Sequence, residues 1–402
     1  MNGRQRVLAA INHREPDRVP LDLGGMDSTG IVGLTYNRLK SYLGISDGST
    51  DIVDVTQQVA KVETTLLDWA GADCRPFYYE PNEWMPGELP DGSPCRIPAG
   101  WTEETEPNGD RVVRDSRGRI SLRMPVGGYY FEPVNPPYAA AGSIAEIEAD
   151  RGYIDSFDWP FFCDESWAQM GQRARKIRGQ GDYAVIGNFA GHIFAAGQLL
   201  RGYEQFLVDL ALDPGLAGGL MDMLVEVYIE RFKNYWDAVG DNIDIISVND
   251  DLGTQLAAMI SPDMYRRLVK PRHRKLFGAL KEISGVPLFL HSDGVIVDLM
   301  PDLVEIGVDI LNPVQYTLPG MDSGKLKREF GRDLCFWGAG CDTQRILPAG
   351  SPQEVADEVK RQVETLAPGG GYVFTQVHNI QADVSPKNIE AMYEAAHQFG
   401  KY

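Results

Sequence analysis

Residues 286–294, Val-Pro-Leu-Phe-Leu-His-Ser-Asp-Gly, decide the fold together with the residues that follow them as far as Gln315. Residues 286–290 are a short apolar run that ends in polar residues, the pattern of a strand buried on both faces. Residues 295–306 carry apolar side chains at helical spacing, and residues 308–311 form a second apolar run. Two strands joined by a helix make a βαβ unit, which predicts a parallel sheet with polar residues at its carboxyl edge.

Predicted helices and strands alternate from about residue 143 to the end of the chain. The predicted strands cover residues 183–188, 243–248, 286–291, 308–312, 334–338 and 371–375. Together with residues 72–77, taken as the first strand, they approach the number needed for an α/β fold of the TIM type, a (β/α)8 barrel. A doubly wound open sheet is the alternative. The chain lacks both a Gly-x-Gly-x-x-Gly after a first strand and a P-loop motif, which argues against nucleotide-binding versions of that fold.

Residues 78–140 differ from the rest in being rich in Pro, Gly, Asp and aromatic residues. Residues 111–124 predict a hairpin with its turn at Asp115-Ser-Arg-Gly. We interpret the segment as an inserted lid of loops and hairpins, and the chain as a single barrel domain over residues 1–402. The lid aromatics, among them Trp84, Trp101 and Tyr130, either line a substrate mouth or pack the insertion onto the barrel.

The composition excludes several classes of function. The formal net charge is −19 and the sequence pI is about 4.8, so general binding to nucleic acid or to an anionic membrane is not expected. The sequence contains no apolar run of the roughly 18 residues that a membrane span needs. The 5 cysteines are scattered and include no Cys-x-x-Cys pair. This pattern, with no signal peptide at the start, predicts a reducing, cytoplasmic location.

Polar side chains follow nearly every predicted strand, and in a barrel these strand ends converge on one mouth. An Asn or Asp in such a place often caps the next helix instead. Capping accounts less well for the whole set, since histidine and cysteine are poor caps. The residues concerned are Asn188, Asn249, Asp250, Asp251, His291, Ser292, Asp293, Asn312, Gln315, Cys341, Asp342, Gln376, His378 and Asn379.

Four of these residues are candidate metal ligands. His291 and Asp293 are alternate residues of an extended chain and share a face, while His378 follows a neighbouring strand. Imidazole and carboxylate groups, with a thiolate from Cys341, would suit zinc or another divalent metal. The spacing matches no zinc finger or ribbon.

Several stretches together resemble the uroporphyrinogen decarboxylase superfamily, whose fold is a (β/α)8 barrel. The resemblance covers nearly the whole chain apart from residues 78–140. The stretches that carry it are residues 4–23, 249–255, 261–265, 290–294, 309–315 and 370–389.

The superfamily contains decarboxylases and cobamide-dependent methyltransferases. The decarboxylases carry an N-terminal Arg-Gln-Ala-Gly-Arg segment that holds substrate carboxylates, whereas residues 23–27 here are Leu-Gly-Gly-Met-Asp. The thiol-methylating members bind zinc through His-x-Cys and a later Cys. His291 matches the histidine, Asp293 stands at the first cysteine, and Gly370 is aligned with the second. The resemblance therefore implies the methyltransferase branch, with a site suited to an oxygen-bearing substrate or a different metal arrangement.

The expected function is demethylation of a small methoxylated or N-methylated compound, with the methyl group passed to a corrinoid on a partner protein. The alternatives are a decarboxylase of the same superfamily, acting on a carboxylated substrate, and a corrinoid- or tetrapyrrole-binding carrier. A homodimer is compatible with the resemblance. The expected roles are catalysis by His291, Asp293 and Asp250; substrate binding by Asn188, Asn249, Asp251, Asn312, Gln315 and Tyr130; and metal binding by His291, Asp293, His378 and Cys341.

Overall fold

A parallel sheet of seven strands forms the centre of the computed structural model, which describes residues 1–156 and 164–402. The strands follow one another across the sheet in chain order. Nearly every residue in them is buried, which explains why they form apolar runs rather than alternating patterns. The strands are Cys74–Phe77, Ala184–Ala190, Ile245–Asn249, Leu288–His291, Ile310–Asn312, Cys335–Trp337 and Tyr372–Val373.

An N-terminal segment closes this sheet into a barrel. The Asp22 N–H donates to the Phe374 carbonyl at 2.9 Å, and the Phe374 N–H donates to the Pro20 carbonyl at 2.9 Å. On the opposite side, the Asp73 N–H donates to the Leu21 carbonyl at 2.8 Å. The segment thus pairs with both outer strands and joins the two edges of the described sheet. The predicted α/β barrel of the TIM type is confirmed.

Helices surround the barrel. Pro352–Leu366 is typical: it buries Val355, Val359 and Val363, spaced four residues apart on one face, and Ser351 caps its start. The other helices are Gly3–Ile11, Gly33–Tyr42, Thr64–Ala70, Ile144–Glu148, Arg151–Ser156, Trp167–Arg178, Phe194–Arg201, Tyr203–Leu212, Pro214–Val239, Pro262–Met264, Lys270–Ser284, Met300–Glu305, Ser323–Phe330, Ile346–Ala349 and Pro386–Phe399, with 3₁₀ turns at Asp27–Thr29 and Gly240–Asn242 and a π-helical turn at Tyr265–Val269.

The first helix, Gly3–Ile11, plugs the amino end of the barrel. Its Val7 belongs to the same buried apolar cluster as Phe289 and Trp337 from the barrel strands. The Gly371 N–H, just before the last strand, donates to the Ala10 carbonyl at 2.9 Å. With this end filled, a ligand can enter the barrel only at the carboxyl ends of the strands.

The segment predicted as a lid is built of antiparallel strands. Trp84–Glu88 pairs with Pro94–Pro98, and a second sheet contains Glu103–Thr105, Arg111–Arg114, Ile120–Met124 and Glu132–Pro133. The predicted hairpin at residues 111–124 is confirmed, with the Gly118 N–H donating to the Asp115 carbonyl at 2.9 Å. A further small sheet joins Ile31–Val32, Ile52–Asp54 and Val59–Ala60.

Three predicted elements differ from the structure. The pattern of residues 55–67 predicts a helix, but they contain the strand Val59–Ala60 and only the start of the helix Thr64–Ala70, because pairing with two neighbouring strands overrides the local pattern. The helix predicted at 295–306 covers only Met300–Glu305, since Pro301 favours the first turn of a helix. Residues 72–77 provide the second barrel position, because the N-terminal segment occupies the first.

Within the described residues, no helix has both the length and the apolar character that a membrane crossing requires.

Asp73 is expected to contribute strongly to stability because it joins the N-terminal segment to the barrel. Its carboxylate accepts hydrogen bonds from Arg6 at 2.5 Å, from Arg18 at 2.7 Å and from the Leu21 N–H at 2.9 Å. Asp73→Asn removes the carboxylate that Arg18 pairs with and one of the two that Arg6 pairs with, since Arg6 also contacts Asp17, and should lower the free energy of unfolding by roughly 2–3 kcal/mol. Denaturant titration measures this change. The control Glu364→Gln, at an exposed carboxylate, should stay within about 0.5 kcal/mol, and equal stability of the two variants would contradict the role of Asp73.

Trp101 is expected to be a packing residue. Only 3% of it is exposed, and its ring meets Phe131 edge-on with centroids 5.1 Å apart. Trp101→Ala should therefore destabilise the protein by about 3–5 kcal/mol, whereas Trp84→Ala, at a half-buried position, should cost less. Thermal unfolding compares the two. An unchanged melting temperature with a raised KM for Trp101→Ala would instead indicate contact with substrate.

Candidate active site and metal centre

A cavity of about 350 Å³ opens at the carboxyl ends of the barrel strands. This is where TIM-type barrels carry their active sites, because the loops after every strand meet there. Pro133 of the antiparallel segment forms part of its wall. The polar lining residues are Asp27, Ser28, Asp54, Thr56, Gln57, His192, Tyr203, Asn249, Asp250, Asp251, His291, Asp293 and His378.

His291 ends the strand Leu288–His291, and its ring orientation is set by Asn312 on the adjacent strand. The Asn312 amide N–H donates to the Trp337 carbonyl at 2.8 Å, which turns the Asn312 oxygen towards His291. His291 Nδ1 lies 2.6 Å from that oxygen, so Nδ1 carries the proton and donates it. The other ring nitrogen, Nε2, is left facing the cavity, as in metal-binding histidines whose second nitrogen is held by an acceptor.

His378 is held in the same way after the last strand. Its Nδ1 lies 2.9 Å from the Asn379 side-chain oxygen. The Asn379 amide N–H in turn donates to Gln57 at 3.0 Å, which fixes the orientation of the amide. Each histidine is therefore anchored through Nδ1 by an asparagine oxygen.

Asp293 lies between the two imidazoles. His291 Nε2 is 3.8 Å from Asp293 Oδ2, and His378 Nε2 is 3.5 Å from the same oxygen. One ligand atom from each of the three residues lies within 4.8 Å of the others, so this group could hold a metal ion. Asp293 Oδ1 is buried and has no hydrogen-bond partner among the described residues. Two imidazoles and one carboxylate are a donor set that catalytic zinc uses while keeping a fourth position open.

The electrostatics of the site favour a positive charge at His291. Burial lowers the pKa of His291, but the carboxylates of Asp293 and Asp251 and the bond to Asn312 outweigh it and raise the pKa above its usual value. Burial and the Asp293 charge likewise raise the pKa of Asp251, whose Oδ1 lies 4.0 Å from His291 Nε2. Either a proton or a metal ion would supply the charge that these carboxylates stabilise.

The loops that carry Gly253 and Gly294 pass close to each other next to this group. A Cβ on Gly294 would lie 2.3 Å from the Gly253 carbonyl carbon, and the φ of Gly294 is +87°, so only glycine fits there. The Gly294 N–H donates to the Gln315 side-chain oxygen at 2.5 Å. The Asp293 N–H donates to Asp251 at 2.8 Å. These contacts hold the loop that carries Asp293.

Asp250 lies on the cavity wall with its carboxylate bound to the fold. Its oxygens accept from the backbone N–H groups of Ile193, Phe194 and Ala195 at 2.9, 2.9 and 2.6 Å, at the start of the helix Phe194–Arg201. It also lies 2.8 Å from Nε2 of the buried His273. These contacts are those of a helix cap, and its predicted catalytic role remains a prediction.

The other predicted residues occupy different positions. Asn249 lies on the wall of the main cavity, and Asn188 lies on that of an adjoining smaller one. Gln315 supports the loop at Gly294 rather than the wall. Tyr130 is not a lining residue, and burial with the nearby Asp383 charge raises its pKa to about 12. Its part in substrate binding remains a prediction.

Cys341 does not join the candidate metal ligands. Its thiol is buried, and burial together with the charges of Glu358 and Asp342 raises its pKa well above the usual value. A thiol held in that state is a poor ligand, since metals bind the thiolate. Gly370 is also remote from the site: it precedes the last strand, and its carbonyl accepts from Lys327. The residue that lies beside His291 and Asp293 after that strand is His378.

Among the cavity residues that were not predicted are Asp27, Asp54 and His192. Asp27 follows the N-terminal barrel segment. Residues 19–23 of that segment are predicted as a short strand, and counting this strand in the barrel would have identified Asp27. His192 follows the strand Ala184–Ala190, whose predicted end lay at residue 188. Asp54 comes from the small antiparallel sheet, which no local pattern predicted.

Comparison with known proteins identifies the family. The family model described as "Uroporphyrinogen decarboxylase (URO-D)" matches residues 171–399, more than half of the chain. Uroporphyrinogen decarboxylases from Geobacillus kaustophilus and Geobacillus thermodenitrificans are each 25% identical over 233 residues, which make up 56% of this chain. The match spans only 61% of the length of these curated relatives.

A solved structure agrees over the whole chain. It is described as a methyltransferase from Methanosarcina mazei, and the match covers 99% of each chain with a TM-score of 0.60 and 16% identity. At this identity the likeness concerns the fold alone. The extent of the family-model match and the shared barrel lead to one conclusion: the chain belongs to the uroporphyrinogen decarboxylase family.

Proposed function

We propose that this protein is a methyltransferase that moves a methyl group from a small methoxylated or N-methylated compound to a corrinoid carried by a partner protein. The observation that carries the proposal is the group formed by His291, Asp293 and His378, with both imidazole Nε2 atoms turned towards one carboxylate oxygen. The whole-chain likeness to a methyltransferase barrel supports it.

The lining of the cavity argues against the decarboxylase alternative. That reaction needs a carboxylated substrate, and carboxylates are usually held by arginine or lysine. The described lining residues include neither, and five of them are aspartates. The names of the curated relatives favour a decarboxylase, but their match leaves more than a third of their own length uncovered.

Methyl transfer from an ether has a defined balance. The bond between the methyl carbon and oxygen breaks, the oxygen keeps the electron pair and takes a proton, and the methyl group bonds to cobalt(I), which supplies two electrons. An alkoxide or phenoxide leaves poorly, so the leaving oxygen must be protonated or otherwise stabilised. A divalent ion at this site would act as a Lewis acid on that atom.

The residues of the chain divide this work between them. His291, Asp293 and His378 would hold the ion, with Asn312 and Asn379 fixing the ring orientations. If no ion binds, His291 itself would act as the acid, since the surrounding carboxylates favour its protonated form.

The partner follows from the same proposal. The barrel mouth is the face on which a corrinoid protein would dock, because the methyl group must pass directly from the cavity to cobalt. The antiparallel segment at residues 78–140 would then act as a lid, since its Pro133 already forms part of the cavity wall.

The first test is metal content. The purified protein should contain close to one divalent ion per chain, with zinc expected, and His291→Ala should lose it. Asn312→Ala should weaken zinc affinity by about 10–100-fold, because it removes the acceptor that orients His291. Elemental analysis and chelator competition measure both effects. The control is His397→Ala, at a histidine that is hydrogen-bonded to the Ala70 carbonyl elsewhere in the fold, and this variant should keep the ion. A metal-free protein with full activity would rule out the metal site.

The second test is methyl transfer. Cobalt(I) corrinoid, free or on its protein, should become methylated when this protein meets a methoxylated aromatic, and its cobalt(I) absorption band should disappear. His291→Ala and Asp293→Ala should each slow the reaction by at least about a hundredfold, as expected for loss of a metal ligand or an acid. Asp263→Asn, at a side chain that is 97% exposed, is the control and should not change the rate. Release of carbon dioxide from a carboxylated substrate without corrinoid would favour the decarboxylase instead.

A further inference from the structure

We infer that the cavity binds its methyl donor as an organic cation, with the Asp27 carboxylate as the charge partner. The inference rests on the proposed function in one respect, because it takes this cavity as the place where the methyl donor binds. It adds the charge class of the substrate, which the family of the chain does not define.

The charge of the cavity wall is the first observation. Asp27, Asp54, Asp250, Asp251 and Asp293 line it, and no lysine or arginine is among its described lining residues. A divalent ion between His291, Asp293 and His378 would offset only two of the five negative charges. The remaining field attracts cations and repels anions, more strongly than in bulk water because the walls exclude solvent.

Most of these carboxylates are already committed to partners. Asp54 accepts from the N–H and the hydroxyl of Thr56 at 2.8 and 2.6 Å, and from the Gln57 amide at 2.9 Å. Asp250 caps a helix and contacts His273. A ligand therefore could not recruit either group without breaking bonds that the fold uses.

Asp27 is different. Its Oδ1 accepts from the Ser28 backbone N–H at 2.9 Å. Among the described residues, none donates a hydrogen bond to Oδ2. None of them forms an ion pair with the Asp27 carboxylate either. The side chain is half-buried on the cavity wall. Burial raises the pKa of the neighbouring Asp54, and the Asp27 charge adds to that effect, so a cation beside Asp27 would relieve a repulsion already present.

Aromatic rings lie next to this carboxylate. A smaller cavity of about 40 Å³ shares Asp27, Asp54 and Asn249 with the main one, and its wall also includes Tyr78 and Tyr79. The Tyr78 hydroxyl donates to the Gly24 carbonyl at 2.8 Å, which fixes that side chain. Aromatic faces beside a carboxylate are the usual environment for a quaternary ammonium group, which cannot donate hydrogen bonds.

His192 supplies an independent sign of a ligand. It is 5% exposed and lines the same cavity, and its Nε2 is buried without a hydrogen-bond partner among the described residues. Such a group is costly unless something pairs with it. Burial lowers the pKa of His192, so the ring stays neutral and does not repel a cation. Nε2 is closed to solvent in this structure, so a polar group on the ligand would pair with it after a rotation of the ring towards the cavity.

The test uses three probes that share one methoxybenzene ring and differ in the charge of a meta substituent. They are meta-methoxyphenyl-trimethylammonium, its neutral isostere meta-tert-butylanisole, and meta-methoxybenzoate. Titration calorimetry on the full-length protein should show the cation binding at least about tenfold more tightly than the neutral isostere, and the anion more weakly than both.

Matched variants identify the charge partner. Asp27→Asn should remove most of the preference for the cation, and Asp27→Glu should retain part of it, with melting curves confirming that both are folded. Asp263→Asn should leave the preference unchanged. A neutral probe that binds as tightly as the cation, an anion that binds best, or an Asp27→Asn variant with full preference would each overturn the inference.

The two proposals fail in different ways. Binding is measured without corrinoid, so a cation preference that disappears in Asp27→Asn upholds the cation site even if no methyl group is transferred. Failure of methyl transfer with all three probes would then count against the proposed function alone. Methyl transfer from the probes, together with equal affinities for the neutral and the cationic probe, would uphold the function and overturn the cation site.

Discussion

The hydrogen bond between His291 and Asn312 is the interaction on which the site depends. In the parallel sheet Asn249, His291 and Asn312 are register partners on three adjacent strands, so the barrel itself places them side by side. The Trp337 carbonyl on the next strand orients the Asn312 amide, and the amide oxygen then orients the imidazole. The pairing of the strands thus fixes the direction in which the Nε2 lone pair of His291 points.

The mouth of the barrel concentrates negative charge around that nitrogen. An isolated carboxylate in such a cavity is costly, and five together are sustained only where backbone amides, turns or cations compensate them. Asp54 and Asp250 obtain this from the fold, whereas Asp293 and Asp27 retain oxygens without partners among the described residues. Asp293 faces two imidazoles, and Asp27 faces the open cavity. We therefore assign Asp293 to a metal and Asp27 to the substrate.

Much of this arrangement follows from sequence, and the exceptions have physical causes. Buried parallel strands leave apolar runs with polar ends, and this pattern predicted the barrel and brought His291, Asp293 and His378 together. The orientation of a side chain cannot be predicted from its local sequence. Asn312 orients His291 and Gln315 holds the loop at Gly294, and both roles depend on contacts between strands. Asp54 was missed because its sheet forms by tertiary pairing, and Cys341 was included because burial of a thiol cannot be read from its spacing.

The ligand set is the central claim, and X-ray absorption at the zinc edge of the purified protein tests it most directly. The account predicts nitrogen and oxygen neighbours at about 2.0–2.2 Å, with an imidazole scattering pattern for two histidines and no sulfur at about 2.3 Å. Loss of one imidazole contribution in His378→Ala would support the assignment of that residue. A sulfur shell in the wild-type spectrum, or a spectrum unchanged by His378→Ala, would contradict it.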